Sequence, residues 1–210
     1  MFHSQNIYLF FIASLLLNLT PGNDMIYVAS RAVSQGSRAG VVSAAGVFVG
    51  CFVHITAAVL GLSIIIANSA LLFSIIKFVG AAYLVYLGVR SLMSKRSVPA
   101  DATMTPNLNY WRLFRQGFVT NVLNPKVAIF FLSFLPQFID PASQTVKLQL
   151  LTLGLWFAAQ GTLVLIIVAI ILGKTKDFFR SNPRVWQIQE KITGLVLIGL
   201  GIKVALTTKQ

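Results

Sequence analysis

Stretches of about 20 predominantly apolar residues, each long enough to cross the hydrocarbon core of a bilayer as a helix, recur along almost the whole chain and leave little else to fold. They fall at residues 6–29, 40–67, 70–93, 116–139, 148–172 and 192–206. The expected fold class is an all-α membrane protein with six transmembrane helices. The second segment is long enough to require tilt or an interfacial end. Composition agrees, because 56% of the residues are apolar and only 10% are charged, against about half and about a quarter in soluble domains. No Lys or Arg precedes Arg31, so the first stretch lacks the basic flank of a secretory signal and reads as a retained span.

The charges that remain are lopsided, 17 Lys+Arg against 5 Asp+Glu. In a soluble domain this would suggest nucleic acid. In a membrane protein, basic residues collect in cytoplasmic loops, and no nucleic-acid partner is expected. The loops after the first, third and fifth spans hold Arg31 and Arg38; Arg90, Lys95, Arg96, Arg112 and Arg115; and Lys174, Lys176, Arg180, Arg184 and Lys191. These are placed inside, which puts both termini outside with Lys147, Lys203 and Lys209; Lys77 and Lys126 fall within spans. The lone Cys51 excludes an intramolecular disulfide and any CxxC arrangement. With two His besides, soft metal ligands are too few, and neither a cofactor nor a metal is expected. Enzyme signatures such as HExxH and GxSxG are absent from the sequence.

One long polar linker, "SKRSVPADATMTPNLNYWR", carries Pro99 and Pro106 and separates two halves of three spans each. The single membrane domain thus divides into repeat one at 1–93, a cytoplasmic linker at 94–115 and repeat two at 116–210. An odd number of spans per half forces two similar halves into opposite orientations, the inverted-repeat design of many secondary transporters. The first span of each half is interrupted, by "LNLTPGND" and by "VTNVLNPKV", and the halves close with the similarly spaced "GAAYLVYLGVR" and "GLVLIGLGIK".

The interruptions are where chemistry is expected. Pro21 removes a backbone donor and Gly22 loosens the chain, and Pro125 does the same in the other half. A break in hydrocarbon persists only where protein or a water-filled cavity satisfies the freed groups. A half-helix N-terminus near Asn23 or Lys126 suits a carboxylate, and freed carbonyls suit an ammonium. Asp24 and Lys126 add one full charge of each sign at this depth, and intramembrane ionisable residues point to function. The plainer alternative is a pair of packing kinks with Asp24 and Lys126 as a structural ion pair.

Taken in order, "TPGND", "SRAVSQGSRAG", "GVFVGCFVH", "GAAYLVYLG", "TNVLNPKVAIFFLSFLPQF" and "GLVLIGLGIK" resemble the LysE/RhtB family of amino-acid exporters over nearly the whole chain. The resemblance implies a bacterial inner-membrane protein that exports a small amino-acid substrate using protons; in that membrane the outer side, to which the basic residues assign both termini, is the periplasm. Its RhtB-like branch handles neutral amino acids of the threonine, homoserine or leucine type. The family's first motif usually reads Thr-Pro-Gly-Pro. Here Asn23 stands at the second proline, a departure expected to soften the break, while Asp24 keeps the acidic place.

Thr20, Pro21, Gly22, Asn23, Asp24, Asn124, Pro125 and Lys126 form the candidate substrate and proton site. Asn18 and Asn121 flank the breaks as further ligands or as backbone caps. His54 shares a helix face with Gly46 and Gly50; it suits proton relay and equally a hydrogen bond across a helix contact. Gln160, beside Ala158, Ala159 and Gly161, either lines the path or ties helices together. Lys77 can snorkel to the interface. Trp111 and Trp186 read as interfacial anchors whose basic neighbours favour anionic membrane lipid. The small-residue face with Gly40, Gly46, Gly50 and Gly61 packs either within the subunit or in a homodimer. The leading expectation is a proton-coupled exporter of a neutral amino acid; its rivals are metal-cation efflux and a non-transporting membrane scaffold.

Overall fold

The computed structural model describes residues 4–62, 70–93, 109–140, 143–175 and 183–206. The end of the second expected span, most of the 94–115 linker with Lys95, Arg96, Pro99 and Pro106, and Lys176, Arg180 and Lys209 lie outside the described residues, as do the side chains of Lys77, Arg184, Trp186 and Lys203.

The described residues are helical apart from short breaks and links, and contain no strand. Helix α1 (Ser4–Leu19) is followed by α2 (Asn23–Gln35), α3 (Ser37–Ala57) with a π-helical turn at Ala58–Leu62, and α4 (Ala70–Met93). The second half holds α5 (Tyr110–Val122) and α6 (Pro125–Ile129), the latter running on through a π turn (Phe130–Phe134) and a 3-10 turn (Leu135–Phe138). Helices α7 (Val146–Lys174) and α8 (Pro183–Leu206) complete it. Residues Ser37–Gly61 and Val146–Lys174 are each long and apolar enough to cross a bilayer, with mean hydropathies of 2.0 and 2.5. The pair Ile7–Leu19 and Asn23–Gln35, bent by 49°, and the pair Tyr110–Val122 and Pro125–Phe138, bent by 44°, qualify when each pair is taken as one broken span. Helices α4 and α8 have 24 residues each, about 36 Å at 1.5 Å per residue.

Helix α4 occupies the expected 70–93, and α7 exceeds the expected 148–172 slightly at both ends. Elsewhere the helices overrun the apolar stretches. Helix α2 continues to Gln35, α5 starts at Tyr110 rather than 116, and α8 starts at Pro183 rather than 192. Hydropathy marks the slab of hydrocarbon, whereas a hydrogen-bonded helix continues until backbone chemistry stops it. Those stops are Gly36, the Asn109 cap whose side chain accepts from the Arg112 amide, and Pro183 at a helix start. Arg31, Arg38, Arg90, Arg112, Arg115, Lys174, Arg184 and Lys191 therefore sit on helices, not in the expected loops. The substitution of Asn23 for a second proline does not close the first break, which is bent slightly more than the one at Pro125.

Helix α2 is amphipathic, burying Met25, Val28, Ala29, Ala32 and Val33 at helical spacing. Its link to α3 is the single residue Gly36, at φ 89° and ψ 167°, with its amide bonded to the Ala32 carbonyl at 3.0 Å. That region of backbone space is essentially reserved for glycine. Helix α3 then meets α5 backbone to backbone. A Cβ on Gly46 would collide with the Phe114 carbonyl, one on Gly117 with the Ser43 carbonyl, and one on Gly50 would lie 2.8 Å from the Phe118 oxygen. Gly40 faces Ala169 and Ala32, so this part of the small-residue face is used within the subunit, whereas a Cβ on Gly61 would meet nothing within 4 Å among the described residues. The two closing motifs also face each other, with Gly88 of α4 against the Gly194 carbonyl of α8.

Two cores flank the breaks. One is aromatic, built on Phe10, Phe130, Phe131, Phe134 and Phe157, with the Phe130 and Phe157 rings stacked at 4.0 Å between centroids. The other consists of smaller aliphatic side chains, among them Val28, Ala32, Ala44, Leu165 and Ala169. Ile12, Leu71, Val79, Leu163 and Leu195 point outward, as a lipid-facing rim requires. Gly46→Val is expected to wedge α3 from α5 and cost about 3 kcal/mol of stability, read as a lower unfolding temperature in detergent. Gly61→Val, at a position with nothing within 4 Å of a Cβ, is expected to leave that temperature unchanged.

Candidate functional site at two helix breaks

Helix α1 stops because Pro21 has no amide to continue its hydrogen-bond ladder. Thr20 ends it: its amide reaches the Leu16 and Leu17 carbonyls and its Oγ1 donates to the Leu16 carbonyl at 2.6 Å. Gly22 is extended, and α2 restarts at Asn23 without a side-chain cap. In the other half, α5 ends at Val122 and α6 restarts at Pro125, with the Asn124 Oδ1 accepting from the Lys126 amide at 3.1 Å. Pro125 at the first helical position costs nothing, since its missing amide would have had no intrahelical partner.

The first break is held by side chains from the second. The Lys126 ammonium donates to the Leu17 carbonyl at 3.1 Å and to the Thr20 carbonyl at 2.8 Å, placing a cation at the negative end of α1. Asn121, in the last turn of α5, donates from Nδ2 to the Asp24 Oδ2 at 2.8 Å, and Asp24 occupies the first turn of α2, the positive end of that helix. Gly22 makes room for this arrangement, because a Cβ there would lie 3.0 Å from the Lys126 Nζ. Asp24 and Lys126 do not pair with each other. Their hydrogen bonds go to neutral groups, so the two charges act on each other across the site without direct contact.

Three buried polar atoms here have no hydrogen-bond partner: Asp24 Oδ1, Asn121 Oδ1 and Asn124 Nδ2. Buried polar groups are otherwise almost always satisfied, so this cluster is suited to water or to a polar ligand. A cavity of about 40 Å³ opens beside it. Its polar end is formed by Asn18, Thr20, Asp24, Asn121 and Lys126, and its apolar wall includes Val47, Phe48, Cys51, Phe157, Ala158 and Leu165. A water needs about 10–15 Å³ on this measure. In this conformation the cavity therefore holds a few waters or a small polar group, and a larger solute requires the helices to part.

The structure thus brings Thr20, Asp24, Asn121 and Lys126 to one cavity, with Asn124 buried beside Asp24. Pro21, Gly22 and Pro125 shape the breaks without lining it, and Asn23 is exposed. His54 stands behind the site: its Nε2 donates to the Asn121 carbonyl at 3.0 Å, and its ring stacks on Phe131. Because a carbonyl only accepts, Nε2 carries a proton in this contact. Gln160 also stays outside the lining. It accepts from Asn18 at 3.2 Å and donates to the Phe11 carbonyl at 3.5 Å, tying α7 to α1. Sequence reasoning missed the walls contributed by α3 and α7. Phe48, Cys51 and Ala158 look like any other apolar span residues, and only the rotation of their helices distinguishes them.

The LysE type translocator profile matches residues 15–208. The membrane protein YrhP of Bacillus subtilis, described as uncharacterized, is 32% identical over 93% of this chain and 96% of its own length. An uncharacterized membrane protein of Vibrio cholerae is 29% identical over 93% of this chain and 94% of its own, and the leucine efflux protein of Salmonella typhimurium is 22% identical over 95% and 94%. No solved structure matches. With broken and unbroken apolar helices along a chain that matches this profile almost from end to end, the protein is a multi-pass membrane protein and belongs to the LysE type translocator family.

Proposed function

We propose that this protein is a secondary exporter of a small neutral amino acid, driven by proton antiport across the bacterial inner membrane. The observation that carries the proposal is the pair of opposite charges at two helix breaks, both lining one cavity and neither hydrogen-bonded to the other. A zwitterion presents an ammonium and a carboxylate together, and an uncharged side chain finds the apolar wall beside them. The naming of Salmonella relatives as leucine efflux proteins supports the same reading.

In this proposal six spans form two inverted repeats, residues 1–93 and 116–210 joined by the linker at 94–115, with both termini periplasmic. The bracing between the halves supports it: the second half reaches back to the α1 carbonyls through Lys126 and to α2 through Asn121. Lys126 has three N–H donors and two are engaged with α1, so the third is available to a substrate carboxylate while the brace is kept. Asp24 alternates between a proton and the substrate ammonium, using the oxygen that has no protein partner. Rocking of the halves about the site gives alternating access, and inward proton flow drives outward substrate flow.

Inverted vesicles energised acidic and positive inside are expected to take up labelled L-leucine or a related neutral amino acid, and an uncoupler is expected to stop it. Asp24→Asn should abolish proton-driven uptake at normal abundance; undiminished uptake by that variant would remove Asp24 from the coupling step. Lys126→Met strips a charge-assisted brace from two carbonyls, so a stability loss of about 2–3 kcal/mol is expected. Thermal unfolding with and without leucine separates its two tasks. Wild type should be stabilised by leucine and the variant should not, whereas equal stabilisation of both would leave Lys126 with the brace alone.

A further inference from the structure

Asp24, Tyr27 and Arg31 follow one another at i, i+3 and i+7 along a single face of α2, and this face is turned toward α5. At each step α5 supplies a partner. Asn121 meets Asp24; the Tyr27 hydroxyl donates to the Leu113 carbonyl at 2.8 Å; and the Arg31 Nη2 donates to the Gln116 Oε1 at 3.2 Å. The result is a polar seam that leaves the breaks and runs about 10 Å along the helix axis, toward the end that the basic residues assign to the cytoplasm.

The guanidinium at the far end of this seam is built but not neutralised. Its Cζ lies 5.5 Å from the centre of the Tyr27 ring, within cation–π range. Its Nε is buried without a hydrogen-bond partner, and among the described residues no carboxylate touches it. Gln116 uses its oxygen for Arg31 and, at 3.5 Å, for the Tyr27 hydroxyl, and among the described residues its amide nitrogen has no partner. A partly buried cation flanked by unused donors is costly unless an anion completes it. Arginine's planar fork selects an anion with two oxygens. Exposed Arg38, Arg112 and Arg115 surround the same end of the helices and raise the local concentration of anions.

We propose that Arg31 and Gln116 form an oxyanion-receiving station on the cytoplasmic side of the breaks, which takes the substrate carboxylate before Lys126 does. The proposal rests on the exporter reading above. The same chemistry would accept the phosphate of an anionic lipid, so the test distinguishes the two sources.

Labelled L-leucine uptake is measured in inverted and in right-side-out vesicles carrying wild type, Arg31→Gln, Arg31→Lys or Gln116→Ala. Purified protein is tested in parallel in liposomes of phosphatidylcholine with and without phosphatidylglycerol. Loss of a charge-assisted hydrogen bond predicts that Arg31→Gln raises the cytoplasmic-side KM by about tenfold. The KM on the opposite face should change by less than about twofold, Arg31→Lys should recover much of the loss, and Gln116→Ala should give a smaller shift in the same direction. Equal shifts on both faces would mean a structural role, and an effect confined to phosphatidylglycerol liposomes would make a lipid phosphate the ligand; either overturns the station. Unchanged kinetics in all three variants would overturn it while leaving the exporter reading in place. Absence of uptake of leucine or any other neutral amino acid by wild type would remove both.

Discussion

Everything distinctive about this molecule depends on a lysine ammonium reaching across from one half of the chain to the open carbonyl end of a helix in the other. A helix interrupted inside a bilayer has no water to satisfy the groups it frees, and each unsatisfied group costs several kcal/mol. Lys126 meets that cost for α1, and Asn124 meets it for α6. The first break is not self-sufficient: it needs a side chain from the second, so it can persist only with the second beside it and only at one separation.

This interdependence explains the glycines and small residues around the site. The second half must come close enough for a lysine side chain to span the gap, which requires α3 and α5 to meet backbone to backbone at Gly46, Gly50 and Gly117, and α1 to meet α7 where Gly161 admits the Asn18 carboxamide. Close approach of this kind brings van der Waals contact and polar bonding together, the two attractions that remain when lipid is as apolar as the protein. The aromatic core on one side and the smaller aliphatic core on the other then leave the polar groups enclosed between dry layers.

Much of this was legible in the residues. Proline and glycine act on the backbone directly, so "TPGND" and "NPK" announced the breaks, and Asp24 and Lys126 stood out as charges among apolar neighbours. The span of α4 and the near-agreement for α7 followed from apolar length. What stayed hidden has a common cause. The partners of Lys126 are main-chain carbonyls of Leu17 and Thr20, which carry no side-chain signature, and His54 likewise binds the Asn121 carbonyl. The cavity walls depend on helix rotation, which an apolar helix with little amphipathic bias does not reveal. Arg31 read as a loop charge because hydropathy ends before the helix does.

The single-residue connection at Gly36 has a mechanical consequence. A longer loop absorbs relative displacement of the helices it joins; one residue cannot, so the end of α2 is geared to the start of α3 and the two helices can pivot about that point but not slide apart. Helix α3 is in turn pressed against α5 without intervening side chains. Any tilt of α2 would therefore be handed on to α3 and α5 as leverage, with Gly36 as its fulcrum.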